Sequence, residues 1–180
     1  MRHLLFALLL SPAIAAQTMA TIETSKGAMT FTLFDDVAPK TIANFKALAD
    51  KGWYDGKLFY RVVKGHVIQA GSGDDNDPVT LQQTVPAEFS GKPHLKGTLG
   101  LARNEDPDSG STEFYICDAP RPHLDGKYTV FGQLSDGEQT LDAIANTEVE
   151  EEWLDGGEKP IAFHHPKEPV RILSLKVWEQ

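Results

Sequence analysis

Apolar and polar positions alternate along Ala20-Thr21-Ile22-Glu23-Thr24 and again along Met29-Thr30-Phe31-Thr32-Leu33-Phe34. Successive side chains of a strand point to opposite faces, so this period of two predicts two strands, each with one buried face. Lys26-Gly27 lies between them, and the domain therefore opens on a β-hairpin that Asp35-Asp36 ends. The period then changes. Ile42, Phe45, Leu48 and Ala49 recur at helical spacing behind Pro39, which suits a first helical turn, and Gly52 stops the run. Further β-rich runs at Leu58 to Val63, Val67 to Ala70, Thr98 to Ala102, Glu113 to Cys117 and Tyr128 to Leu134 are separated by Gly, Pro, Asp and Asn clusters and read as strands. Glu138 to Ala145 predicts a second helix with Leu141 and Ile144 on one face, and Val170 to Trp178 alternates as a last strand.

Roughly eight short strands favour closure of the sheet, because closure removes exposed edges, and two helices can cover the open ends. The expected fold is mainly β: an eight-stranded antiparallel closed β-barrel capped by two α-helices, with no domain boundary between residues 16 and 180. The acidic positions Glu148, Glu150, Glu151, Glu152, Asp155 and Glu158 read as a solvated loop, and His94, His164 and His165 as loop residues. Neither the acidic stretch nor Asp74-Asp75-Asn76-Asp77 has the spacing of a calcium loop, and no metal or other cofactor is expected.

Ahead of the domain, Leu4 to Leu10 follow Met1-Arg2-His3 and lead into Ser11-Pro12-Ala13-Ile14-Ala15. A charged start, a short apolar middle and an A-x-A end are the marks of a secretory signal peptide, so residues 1–15 are expected to be removed after Ala15 and the rest to be periplasmic or secreted. The apolar run is far shorter than the ~18–20 residues of a membrane span, and no membrane contact is expected after cleavage. At 41% hydrophobic and 24% charged residues the composition excludes disorder and collagen. The net charge of −9 argues against partners that present phosphates, whether nucleic acid or an anionic membrane. Cys117 is the only cysteine and reads as a small core residue rather than a reactive thiol.

Chemistry concentrates in three segments. In Phe59-Tyr60-Arg61-Val62-Val63-Lys64-Gly65-His66-Val67-Ile68-Gln69-Ala70-Gly71, a turn centred on Gly65 sets Arg61 directly opposite Gln69. An arginine in mid-strand is costly unless its guanidinium meets an opening or a partner, so Arg61 is either a surface residue or a functional donor. The second segment runs from Leu99-Gly100-Leu101-Ala102-Arg103-Asn104 to Ser111-Thr112-Glu113-Phe114-Tyr115-Ile116-Cys117. The third is Pro122-His123-Leu124-Asp125-Gly126-Lys127-Tyr128-Thr129-Val130-Phe131-Gly132.

In this order and spacing the three segments resemble the cyclophilin family of peptidyl-prolyl isomerases, a resemblance that runs from about Met19 to Trp178 and includes the Ala38-Pro39-Lys40-Thr41 and Asn44-Phe45 helix. It implies an outer peptide groove and catalysed rotation about X-Pro bonds in unfolded or flexible exported chains, with proline-containing polypeptides as partners, no cofactor, and a monomer. By the same resemblance Arg61 is the catalytic arginine and Gln69 the residue that orients it. Tyr115 stands for the phenylalanine at the base of the proline pocket, and Leu124 for a pocket-wall leucine. Phe114, on the opposite strand face, is core. His66 and Val67 replace a phenylalanine and a methionine or leucine in the pocket. Glu113 replaces a glutamine and is expected to pair with Arg61 or to face water. His123 replaces a tryptophan and Tyr128 a histidine. Either Arg103 or Asn104 supplies backbone groups to the substrate, Arg103 being favoured. Two other readings compete: a cyclophilin-like peptide-binding or chaperone module with weak catalysis, and a barrel that holds a small apolar ligand inside.

Overall fold

The structure, a computed structural model, describes residues 16–72, 83–154 and 161–180. The expected cleavage point after Ala15, the Asp74-Asp75-Asn76-Asp77 run, Asp155 and Glu158 lie outside the described residues. Strands β1 (Thr18–Thr24) and β2 (Gly27–Leu33) precede helix α1 (Pro39–Asp50). Then come β3 (Arg61–Val63), β4 (Val67–Ala70), β5 (Thr98–Leu101), β6 (Phe114–Cys117) and β7 (Val130–Asp136). Helix α2 (Glu138–Ala145), β8 (Val149–Leu154), β9 (Ile161–Pro166) and β10 (Ile172–Glu179) complete the order.

Eight strands form one antiparallel sheet in the order β10-β1-β2-β7-β5-β6-β4-β3. Its outermost strands do not join in a ladder. The chain just ahead of each meets at an isolated bridge, Leu58 with Arg171, where Phe59 N–H donates to Val170 O and Ile172 N–H to Lys57 O. The sheet is therefore an open half-barrel and not the closed barrel expected. The cause is local: β3 has three residues, and the chain from Lys51 to Tyr60 is mostly turns, so it offers β10 too short an edge to close on.

The alternation read from β1 and β2 places Ala20, Ile22, Met29 and Phe31 on the concave face, where all are buried. Phe45 of α1 inserts its ring between Tyr54, Phe114 and Phe131, with centroids 5.3, 5.7 and 5.2 Å away. Leu141 and Ile144 of α2 complete the other end of the same core. Among the described residues these side chains fill the sheet interior that a bound apolar ligand would need. Helix α1 lacks a local side-chain cap. Instead, Glu88 accepts from Lys40 N–H at 3.0 Å, and from both the N–H and hydroxyl of Thr41 at 2.8 Å. A carboxylate there also complements the positive end of the helix dipole.

Three of the acidic positions read as a loop, Glu150, Glu151 and Glu152, lie in β8 instead, paired with β9 so that they face His165, His164 and Phe163. Glu151 and Glu152 each approach an imidazole Nε2, of His164 and His165 respectively, at 3.2 Å. Charge on both faces of β8 erases the period of two, which is why the pattern concealed this hairpin. The hairpin lies beside β3: His165 Nδ1 donates to Tyr60 O at 2.9 Å, and Phe163 stacks on the Tyr60 ring with centroids 5.8 Å apart.

Candidate active site

The turn between β3 and β4 needs a left-handed residue, and Gly65 supplies it with φ +69°. The resulting register pairs Arg61 with Gln69, Val62 with Ile68 and Val63 with Val67. Val62 and Ile68 enter the core, so strand alternation turns Arg61 and Gln69 outward together. Arg61 Nη1 donates to Gln69 Oε1 at 3.0 Å, both side chains half-buried.

Arg61, Gln69, His66, Val67, Arg103, Tyr115, Leu124 and Tyr128 all border one cavity of about 210 Å³. Ala102 also lines it; so small a side chain carries no sequence signal for that role. Asn104 and Glu113 border an adjoining cavity of about 300 Å³, which shares Gln69, Ala102 and Arg103 with the first. His123 is exposed and stands beside His66, ring centroids 5.9 Å apart.

The cavity floor is built from β6. Tyr115 is 5% exposed and lies opposite both Gln69 and Gly100. A Cβ on residue 100 would sit 2.2 Å from Tyr115 Cζ and 2.4 Å from its Oη, so glycine is what lets the ring lie flat. The hydroxyl reaches His94 Nε2 at 2.8 Å, and His94 Nδ1 reaches Asp125 Oδ1 at 2.8 Å. His94 is a loop residue as expected, but a buried one: it is 1% exposed and satisfied at both ring nitrogens. Its N–H also donates to Asp125 Oδ1. The backbone donor first, and then the imidazole, hold the Asp125 carboxyl below the usual carboxylate range. Burial pushes the Tyr115 hydroxyl far above its usual value. With the polar tip of Tyr115 held from beneath, its ring behaves toward the cavity as an apolar surface.

On the opposite side, the Arg103 guanidinium lies 4.5 Å from the Tyr128 ring centroid and donates to Lys127 O at 2.8 Å. Asn104 has its N–H committed to Ser109 Oγ at 2.9 Å. That leaves the Arg103 backbone better suited to meet a peptide. His66 has its imidazole held below the usual value, first by burial, then by the charges of Arg121, Arg61 and His123. Cys117 packs with Val67 and Tyr115, and burial pushes its thiol up to about 12. It is no available nucleophile.

Glu113 neither pairs with Arg61 nor simply faces water. Its Oε2 accepts from Tyr60 Oη at 2.5 Å and from Gln69 Nε2 at 2.9 Å. Gln69 stands between the acid and the arginine and uses its two ends on them separately. Among the described residues no group of three or more His, Cys, Asp or Glu is arranged to hold a metal ion. The assembled site offers an apolar-floored recess for a small ring, with a fixed cationic donor at its edge.

A family model described as cyclophilin type peptidyl-prolyl cis-trans isomerase/CLD matches residues 19–177. The chain is 41% identical over 121 residues to a peptidyl-prolyl cis-trans isomerase of Synechococcus elongatus, covering 67% of this chain and 83% of that protein. It is 37% identical over 124 residues to peptidyl-prolyl cis-trans isomerase B of Bacillus subtilis, covering 68% and 86%. Among solved structures it is similar to a cyclophilin type peptidyl-prolyl cis-trans isomerase of Cryptosporidium parvum, crystallised in the presence of the dipeptide ala-pro. There the TM-score is 0.77 at 25% identity, over 90% of this chain and 99% of that one.

Proposed function

Because the chain belongs to the cyclophilin family and is a peptidyl-prolyl cis-trans isomerase, we propose that Arg61 is its catalytic donor and that the recess floored by Tyr115 holds the proline ring. The uncatalysed barrier of about 18–20 kcal/mol arises because the nitrogen lone pair is delocalised into the carbonyl. Exchange therefore takes tens to hundreds of seconds. No bond to the protein is required: the groove must bind the twisted amide, whose nitrogen has regained its lone pair, better than the planar one. Arg61, steadied by Gln69, donates to that nitrogen and to the carbonyl as rotation proceeds. Each ~1.36 kcal/mol of selective stabilisation is a factor of ten in rate, so one charged donor in a partly dry groove is large enough to matter.

His66, Val67, Leu124, Tyr115 and Tyr128 surround the ring. Arg103 presents backbone groups to the peptide, while Asn104, Glu113 and His123 border its path. The substrates are proline-containing segments of unfolded or flexible polypeptides. The Cryptosporidium relative, crystallised with ala-pro, supports that choice. The leader-like residues 1–15 support export to a periplasm or beyond, with cleavage after Ala15; the mature chain then acts, as a monomer, on other exported chains. The observation that carries the reading is the Arg61–Gln69 pair at the edge of an apolar-floored recess. Two measurements test it. The chain beginning at Ala16 should accelerate cis-to-trans exchange of a short Ala-Pro peptide, and absence of acceleration from folded protein would contradict the reading. Mass spectrometry of exported protein should give Ala16 as its first residue; an intact leader would refute export by cleavage.

A further inference from the structure

We propose that Glu113 and Tyr60 form a clamp that fixes the orientation of the Gln69 amide and, through it, the aim of Arg61; both are positioning residues for the isomerisation. The inference rests on Arg61 being the catalytic donor. An amide side chain is nearly symmetrical in shape, and turning it over exchanges an acceptor for a donor. Toward Arg61, which only donates, the useful end of Gln69 is Oε1, and that is the end found 3.0 Å from Nη1. What prevents the reversed state is the other end. Gln69 Nε2 meets the Glu113 carboxylate, which only accepts, at 2.9 Å. It also meets the Tyr60 hydroxyl oxygen at 2.5 Å. Tyr60 gives its own hydrogen to Glu113, leaving its lone pairs for Gln69.

Reversal would bring an amide carbonyl against a carboxylate and an amide N–H₂ against a guanidinium, losing hydrogen bonds at both ends. A glutamine at position 113 would accept less decisively, since it carries a donor of its own. The arrangement is braced from outside. Phe163 of β9 stacks on the Tyr60 ring at an interplanar angle of 14°, and His165 Nδ1 holds the Tyr60 carbonyl. The β8–β9 hairpin thus reaches the catalytic arginine through one tyrosine and one glutamine.

Glu113→Leu removes the carboxylate, and kcat for an Ala-Pro peptide should fall about tenfold with KM within about twofold of wild type. Glu113→Gln, which restores an acceptor, should recover most of that loss. In a Gln69→Ala background, Glu113→Leu should cost less than about twofold more, because its route to Arg61 is already cut. Tyr60→Phe, a deletion of one hydroxyl, gives a smaller loss of the same kind and serves if Glu113→Leu does not fold. A second readout needs no turnover: the Gln69 side-chain N–H₂ and Arg61 guanidinium NMR signals should be sharp in the wild type and broadened by exchange in Glu113→Leu. Wild-type kcat in both Glu113→Leu and Tyr60→Phe, or a Glu113→Leu loss undiminished in Gln69→Ala, would overturn the clamp. Sharp, unshifted signals in the variant would do so even were Arg61 not catalytic.

Discussion

Tyr115→Phe should separate stability from catalysis at this site. The perturbation deletes one oxygen, whose partner is His94 Nε2 at 2.8 Å. Asp125 lies against Nδ1 and can only accept, so the ring hydrogen sits there and Nε2 receives the hydrogen of Tyr115. Without the hydroxyl, an acceptor on a side chain 1% exposed to solvent loses the partner that Nε2 has among the described residues. A buried unsatisfied group costs about 1–3 kcal/mol, and relief from burying the hydroxyl offsets part of this, so a net loss of about 1–2 kcal/mol is expected. At about 2–4 °C per kcal/mol for a chain of this size, Tm should fall by about 2–8 °C. Turnover should not follow, because the hydroxyl is turned toward His94 and the ring that floors the recess is unchanged. Calorimetry and Ala-Pro exchange on one preparation decide the matter. A kcat/KM reduced more than about tenfold with Tm intact would refute the reasoning, since the hydroxyl would then be acting on the substrate.

Titration of His66 sets an acid limit: peptide KM should be flat from pH 8 down to about 6.5 and rise below it, as a further positive charge appears in the recess that Arg61 and Arg103 already border. The folded value lies below the unfolded one, so the unfolded chain takes the proton first; the corresponding stability is full above about pH 6.5 and is lost as pH falls through the folded value. His66→Phe should abolish the inflection and lower KM, about tenfold for each ~55 Å² of added apolar contact, and an unchanged profile would count against His66 as a pocket residue. Cys117, fully buried and raised to about 12, should resist a disulfide reagent at pH 8 until denaturant is added; fast labelling of native protein would contradict its placement.

Arg61 and Gln69 were legible together because a two-residue period folded about Gly65 has one register, and that register is the observed one. Both helices were legible from apolar spacing, with α2 at the predicted bounds. The β8–β9 hairpin was not. Its glutamates occupy both faces, and among the described contacts it meets the chain at the start of β3 through Phe163 on the Tyr60 ring and His165 on the Tyr60 carbonyl. Nor was the support beneath the floor, because His94 lies 21 residues from Tyr115 and 31 from Asp125 and only the tertiary fold joins them. Glu113 borders the cavity that adjoins the recess. Its partners were missed because Tyr60 reads from sequence as one more apolar strand position. Closure of the barrel was inferred from the number of strands, whereas a three-residue β3 decides it.

Arg61 is the group on which catalysis most directly depends. Equilibrium exchange of an Ala-Pro peptide, followed by NMR with the chain from Ala16 and with Arg61→Ala, reads cis-trans interconversion without a coupling enzyme. Loss of one preorganised donor is worth about 10²–10³ in rate, so the variant should lose at least a hundredfold in kcat/KM while keeping wild-type Tm, the guanidinium being half-buried and outside the core. Exchange in Arg61→Ala as fast as in the wild type would contradict the account, and some other group would then have to stabilise the twisted amide.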